Sequence, residues 1–218
     1  MGRLTRQGLP ARAGGGLLGI TAASAEGDPE RIAREIWAEC RHRAMGGVLW
    51  DLPADCGPDP IRQIGSRLAG RGLVQLVPVR LAEALPQARV LIPGAVTGGS
   101  FSELLALCTA RYGRRCCLEP VRLACDFPMP ARDGVGVRLE QADLERLLTQ
   151  AGGSRFCPTL CTRYFTHTVR GMPHFVLFDD PDSAGTRLQL AREAGISSFL
   201  IRRRDWGPAV PALLGRLQ

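Results

Sequence analysis

Residues 28–53 read DPERIAREIWAECRHRAMGGVLWDLP, a helix-forming stretch that leads directly into a buried strand. Asp28-Pro29 is a helix start, because the carboxylate can accept hydrogen bonds from free backbone amides and proline fits the first helical position. Apolar residues then recur at steps of three and four, which predicts an amphipathic helix over 29–44. Gly46-Gly47 ends this helix, and the apolar run at 48–50 predicts a strand. A helix followed by an apolar strand is the repeating unit of a parallel α/β fold.

The same alternation of strands and helices continues along the chain. Core strands are predicted at 16–22, 48–50, 73–79, 90–92, 116–123 and 198–201. These strands are apolar throughout instead of alternating, which is typical of parallel strands covered on both faces. Two further runs, 156–169 and 174–178, flank Arg170-Gly171 and predict a β-hairpin insertion before the last helix at 183–194. Pro and Gly in 126–136 predict a surface loop.

The sequence predicts an α/β, TIM-barrel-like fold that is incomplete. No Gly-x-Gly-x-x-Gly follows the first strand and no phosphate loop is present, which disfavours a nucleotide-binding doubly wound sheet. Eight complete barrel units take about 250 residues, so 218 residues with six core strands and a hairpin insertion are too few for closure. We expect residues 1–14 to be a flexible arm and 15–218 to be a single barrel-like domain.

Composition excludes several classes of protein. Apolar residues make up 45% and charged residues 22%, which is typical of a globular chain. No run of 18 apolar residues exists, so we expect no membrane span. The Gly-rich start lacks the apolar stretch of a signal peptide, so we expect a cytoplasmic protein with reduced thiols.

Charge and cysteine spacing give no sign of nucleic-acid or metal binding. The net charge is +7 and every basic residue is Arg, but these residues are scattered and aromatics make up only 6%. A nucleic-acid interface would cluster its charge and interleave aromatics. The eight Cys form no C-x2-C pair, and the three His are not at ligand spacing to any Cys. We therefore expect no metal, no cofactor and no nucleic-acid partner.

The C-terminal third carries a recognisable order of features. A hairpin with Gly171 at its turn leads to Leu177-Phe178-Asp179-Asp180, then Ser183, then a helix containing Arg187. This order resembles the C-terminal part of family-18 glycoside hydrolases, in the chitinase-like branch found with bacterial spore-cortex and cell-wall proteins. In that branch the hairpin leads to a Trp-Phe-Glu-Asp run, a serine and a helix with a basic residue.

Two upstream segments extend the resemblance over residues 16–205. The segment 118–130, containing Asp126-Phe127-Pro128, is similar to the family's seventh strand and its Tyr-Asp-Trp-x-Leu-Pro loop. The strand at 90–94 corresponds to the family's Met-x-Tyr-Asp strand but has neither Tyr nor Asp. The strand at 198–201 has no counterpart of the Trp that floors the sugar site. The resemblance also implies that residues 16–205 begin near the family's third strand, so we expect no counterpart of its first two strands in this sequence.

The resemblance implies that the catalytic acid has been lost. Met45 to Pro53 lies where the family carries Phe-Asp-Gly-Ile-Asp-Ile-Asp-Trp-Glu. In the family, the final Glu protonates the glycosidic oxygen and the preceding Asp orients the substrate's own acetamido nucleophile. Matched position by position, that Asp is Asp51 and the acid is Pro53, which has no proton to give.

Five residues are candidates for contact with a substrate. Asp51, Glu119 and Asp126 lie at or near predicted strand ends, where barrel enzymes keep their chemistry. Each also has a structural interpretation: a turn acceptor for Asp51, an ion pair with Arg122 for Glu119, and an ion pair with any of several Arg for Asp126. Asp179 is a candidate too, although a helix-start cluster with its neighbouring Asp is an equally simple interpretation. Tyr164 could stack on a sugar or pack over the barrel rim, and His167 and His174 are expected to face each other across the hairpin.

These observations predict a catalytically inactive, family-18-like protein that binds an N-acetylglucosamine-containing glycan or peptidoglycan fragment, or acts as a scaffold. One alternative is an active glycosidase with an acid relocated to Glu119, Asp126 or Asp179. Another is a protein–protein interaction module, because an incomplete barrel exposes strand edges that a partner or a second copy would cover. Association with a spore or cell wall is compatible with each of these functions.

Overall fold

A computed structural model describes residues 16–21, 28–53, 56–131 and 134–217, and the predicted arm at 1–14 lies outside them. The chain divides into two compact units. The first unit runs up to Ile92 and includes Arg115–Cys117, and the second contains Pro93–Arg114 and the chain from Leu118 onward. No helix in the described part of the chain is long and apolar enough to cross a membrane.

The first unit is built on parallel strands with helices between them. The elements are β1 (Gly16–Ile20), α1 (Pro29–His42), β2 (Met45–Trp50), α2 (Pro58–Ala69), β3 (Val74–Pro78) and β4 (Arg89–Pro93), with a short 3₁₀ turn at Val79–Leu81. The sheet order is β1-β2-β3-β4-β5, where β5 is Cys116–Glu119. The pairs β1–β2, β2–β3 and β3–β4 are parallel. In the hydrophobic core of this unit, Ile36 and Cys40 of α1 belong to the same buried cluster as Trp50, Leu68 and Val77.

The helix α1 starts and stops for local reasons. Asp28 accepts hydrogen bonds from the amides of Glu30 and Arg31 at 3.1 and 3.2 Å, which confirms the predicted cap. The helix ends at His42, two residues earlier than predicted. Ala44 adopts a φ of 53°, a left-handed conformation that a helix cannot continue through.

The second unit contains an antiparallel sheet that the sequence predicted only in part. Its elements are α3 (Phe101–Tyr112), β6 (Ala124–Pro128), β7 (Val137–Arg138), α4 (Gln141–Ala151), β8 (Arg155–Cys157), β9 (Thr162–Val169), β10 (Met172–Phe178), α5 (Pro181–Glu193), α6 (Arg203–Trp206) and α7 (Val210–Gly215). The sheet order is β7-β6-β10-β9-β8. The predicted hairpin is β9–β10, and its turn residues Arg170 and Gly171 both have positive φ, at 50° and 81°, as a two-residue type I′ turn requires.

The predicted strand over 116–123 and the predicted loop over 126–136 are both wrong in their boundaries. The strand ends at Glu119 because Pro120 follows, and Ala124–Pro128 is a strand. That strand forms because β10 lies beside it and supplies antiparallel hydrogen bonds, a partner about 50 residues away in sequence. The predicted final strand at 198–201 is reduced to one parallel bridge between Leu118 and Phe199.

The fold class is confirmed as α/β with a parallel sheet and an antiparallel insertion before the last long helix. The five strands of the sheet follow one another in chain order, and the bridge at Phe199 gives the sixth strand position. Among the described residues, these strands do not form a closed barrel, as the short chain length predicted.

Candidate functional site

The end of β2 is where the resemblance places catalytic chemistry, and the structure fixes that segment firmly. The backbone amide of Asp51 donates to the Ile20 carbonyl at 2.9 Å, which ties the strand end to β1. The guanidinium of Arg80 donates to the carbonyls of Leu52 and Pro53 at 2.8 and 2.6 Å. Pro53 is therefore held in place, and no side chain at this position can carry a proton.

The Glu119 side chain forms an ion pair. Its carboxylate is paired with the guanidinium of Arg202, and both side chains are mostly buried. The structure confirms that Glu119 pairs with an Arg, but the partner is Arg202 and not Arg122. The Arg122 guanidinium instead donates to the Gln141 side chain at 2.7 Å.

Asp179 is the centre of a fully buried polar group. Its carboxylate accepts hydrogen bonds from the Leu123 amide and the Thr162 hydroxyl, both at 2.8 Å. Its Oδ2 atom lies 2.5 Å from Nη2 of Arg187, and neither side chain has any exposed surface. Arg187 also donates from Nη1 to the Gly94 carbonyl at 2.7 Å. These contacts anchor α5 beneath the hairpin and leave no face of Asp179 open to a substrate.

The neighbouring Asp180 is the cap of α5, as the helix-start interpretation predicted. It accepts from the Ser183 amide at 2.8 Å, and the Ser183 hydroxyl accepts in return from the Asp180 amide at 3.0 Å. Burial alone would raise the pKa of the Asp180 carboxyl. The hydrogen bond from Ser183 and the paired guanidinium of Arg163 outweigh burial, so the pKa lies below its ordinary value.

Asp126 lies between two imidazole rings. Nδ1 of His174 is 2.9 Å from Oδ2 of Asp126, and Nε2 of His167 is 3.4 Å from Oδ1. His167 and His174 are directly paired across the hairpin, as predicted, with ring centroids 4.9 Å apart. The ion pair that the sequence suggested for Asp126, with an Arg, is replaced by these two contacts with His.

Tyr164 lies on the opposite face of the same sheet. Its ring stacks on Phe175 with centroids 5.1 Å apart and an angle of 26° between the planes. Tyr164 also lines an open cavity of about 470 Å³ beside the Gly152-Gly153 turn and Arg155. Tyr164 is thus half-buried and lines a space that is open to solvent.

Asp126 and Tyr164 do not face a common centre, and Glu119 and Asp179 are each engaged in an ion pair. Glu119 and Asp179 are each held by a buried Arg, and Asp126 and Tyr164 lie on opposite faces of one sheet because paired strand residues share a face and adjacent residues alternate. Sequence reasoning missed the partner Arg187. The only available signal was its position in the helix that follows the Asp pair.

Comparisons with solved structures agree with this architecture. The spore cortex-lytic enzyme SleL of Bacillus cereus is similar with a TM-score of 0.65 and 15% identity, over 92% of this chain and 58% of that chain. A chitinase from Chromobacterium violaceum gives 0.63 and 13%, over 93% and 80%. A plant class V chitinase mutant from Cycas revoluta in complex with (GlcNAc)3 gives 0.57 and 13%, over 92% and 77%.

Comparisons of sequence alone gave no match, either to a protein-family model or to a curated protein. The chain spans about half to three-fifths of the SleL enzymes from Bacillus megaterium and Bacillus cereus.

The fold and these neighbours define the class: the chain has the fold of the family-18, chitinase-like glycoside hydrolases. At identities of 15% or less, this likeness establishes the fold alone.

Proposed function

We propose that this protein binds an N-acetylglucosamine-containing glycan without hydrolysing it. The single observation that carries the proposal is Pro53 at the end of β2, held there by Arg80, in the position where the resemblance puts the proton donor. A glycosidase of this type needs an acid that protonates the leaving oxygen. Asp51, the one carboxylate that matches the family's pattern, would remain as an acceptor for a sugar amide or hydroxyl.

Relocation of the acid to Glu119 or Asp179 is disfavoured by their contacts. The Glu119 carboxylate is engaged with Arg202, and Asp179 is engaged with Arg187 and two hydrogen-bond donors. A carboxylate that is held in a buried ion pair is poorly placed to protonate a glycosidic oxygen. Asp126 is more accessible, but its two oxygens face two His.

The cavity beside Tyr164 supports carbohydrate as the ligand class. Ligand sites combine apolar and aromatic walls with a few polar groups. Here Tyr164, whose ring stacks on Phe175, lines a cavity together with Ser154, Arg155 and Gly152-Gly153. One similar chitinase structure is a complex with (GlcNAc)3, which supports testing acetamido sugars first.

The first experiment measures hydrolysis of a chromogenic chitobioside by the full chain. We expect no rate above that of a blank. If wild type does hydrolyse it, the variants Asp51→Asn, Glu119→Gln and Asp126→Asn identify the carboxylate responsible, and the proposal of an inactive protein is then wrong.

The second experiment measures retention on insoluble chitin and on peptidoglycan, with cellulose as the matched polymer that lacks acetamido groups. We expect retention on the first two polymers and none on cellulose. Tyr164→Ala should lower retention by about tenfold, the equivalent of 1.4 kcal/mol. Tyr112→Ala, which removes the chain's other Tyr, should leave retention unchanged. Equal binding to cellulose, or equal loss in both variants, contradicts the proposal.

A second candidate function, an interaction module, rests on the edge strand β1. Gly16–Ile20 pairs with β2 on one side, and no described strand pairs with its other side. Open strand edges are templates for another chain. Light scattering after gel filtration tests this candidate: a mass of 23.5 kDa would contradict self-association, and a concentration-dependent dimer would support it.

We also propose a cytoplasmic location, with association with the spore or cell wall as the alternative. Two of the similar structures are named as spore cortex-lytic enzymes, and this supports peptidoglycan of the spore or cell wall as the first glycan to test. A fluorescent fusion observed during growth and sporulation would separate a diffuse cytoplasmic distribution from association with the spore.

A further inference from the structure

Three potential metal-binding side chains meet on one face of the second unit's sheet. They are Asp126 on β6, His167 on β9 and His174 on β10. One nitrogen from each imidazole and one carboxylate oxygen all lie within 4.8 Å of one another. The three side chains keep only 11–14% of their surface exposed, so they are close to solvent but fixed by their surroundings.

Backbone pairing brings the three residues together. The Arg170-Gly171 turn sets the register that places His167 directly opposite His174. Asp126 is opposite Val176, which is two residues beyond His174 and therefore on the same face of β10. Three adjacent strands thus each contribute one ligand, and the sheet hydrogen bonds hold the donor atoms near one another before any ion arrives.

We propose that Asp126, His167 and His174 bind a divalent transition-metal ion of the zinc class. Two imidazoles and one carboxylate form a known three-ligand set for Zn²⁺, with water in the fourth position. Ligand bonds of about 2.0–2.1 Å in a tetrahedron place the donor atoms about 3.3 Å apart. His174 lies 2.9 Å from one carboxylate oxygen and His167 lies 3.4 Å from the other, and one donor atom of each residue lies within 4.8 Å of the other two. The donor atoms must therefore move closer together around a single ion. Two nitrogen donors favour this class over Mg²⁺ or Ca²⁺, which prefer oxygen.

The alternative is a polar group that closes the hairpin without an ion. In that state, each imidazole keeps a proton on the nitrogen that faces Asp126 and donates it to the carboxylate. Metal binding needs the lone pairs at Nε2 of His167 and Nδ1 of His174, so each ring must carry its proton on its other nitrogen. The two states therefore differ in imidazole tautomer, and this difference can be measured.

The first test uses the wild-type full chain and nitrogen-15 NMR of its imidazoles during a ZnCl₂ titration after treatment with a chelator. The chain has three His, and the third, His42, is exposed on α1 and serves as an internal reference. We expect two imidazoles to shift to the metal-bound tautomer and saturate at one equivalent of zinc, while His42 does not change. If His167 and His174 do not shift at saturating zinc, the proposal is wrong.

The second test compares binding constants by calorimetry for Asp126→Asn, His174→Gln and the matched control His42→Gln. We expect at least tenfold weaker binding in the first two variants and no change in the control. The eight Cys offer competing ligands. The Co²⁺ complex should therefore lack a thiolate charge-transfer band, and the presence of that band contradicts the proposal. If a variant does not fold by circular dichroism, the wild-type titration alone decides the question. None of these results depends on glycan binding.

Discussion

The strongest stability prediction concerns the buried pair of Asp179 and Arg187. The change Asp179→Asn keeps the shape of the side chain but removes its charge, which leaves the Arg187 guanidinium buried without a counter-charge. Both side chains have 0% exposure, Nη2 of Arg187 lies against Oδ2 of Asp179, and Nε of Arg187 has no hydrogen-bond partner among the described residues. Attraction to Asp179 is therefore the main compensation for burying this charge.

The expected loss follows from that geometry. Breaking a buried pair by removing one partner costs about 3–5 kcal/mol, because the remaining charge stays desolvated. Whole domains have a free energy of unfolding of about 5–15 kcal/mol, so this variant should lose a large fraction of its stability. The matched control is Asp182→Asn on the same helix. It breaks the exposed pair between Asp182 and Arg216 and should cost about 1 kcal/mol or less.

Urea unfolding monitored by tryptophan fluorescence and circular dichroism measures both variants. Trp206 is buried in the same unit as Asp179 and contributes to the fluorescence signal together with Trp37 and Trp50 of the first unit. The double variant Asp179→Leu/Arg187→Met should regain part of the loss, since an apolar pair of similar volume leaves no buried charge. Recovery should be incomplete because the Leu123 amide and the Gly94 carbonyl lose their buried partners. A loss below 1 kcal/mol for Asp179→Asn would refute the reasoning.

Two further predictions use local geometry. Gly47→Ala should destabilise the first unit by about 1–3 kcal/mol in chemical denaturation, because its Cβ would lie 2.2 Å from the Val74 carbonyl oxygen. Gly19→Ala, whose Cβ meets nothing within 4 Å, should stay within about 0.5 kcal/mol of wild type. Because the pKa of Asp180 is lowered in the folded state, its contribution to stability is present above the ordinary carboxyl pKa of 3.8 and is lost as pH falls through the folded value. Acid unfolding curves should therefore be shallower for Asp180→Asn than for wild type, and parallel curves would contradict this.

Much of the fold could be predicted because its signals are local. The cap at Asp28, the strand–helix alternation and the hairpin turn at Arg170-Gly171 depend on residues a few positions apart. The strand β6 could not be predicted in the same way, since its segment contains Pro128 and turns into a strand only beside β10. This segment becomes a strand because it pairs with β10, and its own sequence does not favour a strand strongly.

The candidate site also combines features that the sequence predicts locally with contacts that only the tertiary structure shows. Sequence identified Asp126, His167 and His174 as separate features, and even that the two His would face each other across the turn. Their meeting with Asp126 needed the structure, because the carboxylate lies 41 and 48 residues from the two rings. Likewise, Glu119 was expected to pair with an Arg, but its partner lies 83 residues away.

The sequence by itself determined the repeating α/β units, the hairpin and the proline at the end of β2, since each follows from the chemistry of neighbouring residues. Only the tertiary structure decided that Asp179 and Glu119 are ion-paired to Arg187 and Arg202, and that two His and an Asp share one face of a sheet. The physical reason is that charge pairing and ligand geometry depend on distances in space. Those distances are set by strand register and burial between segments that are far apart in the chain.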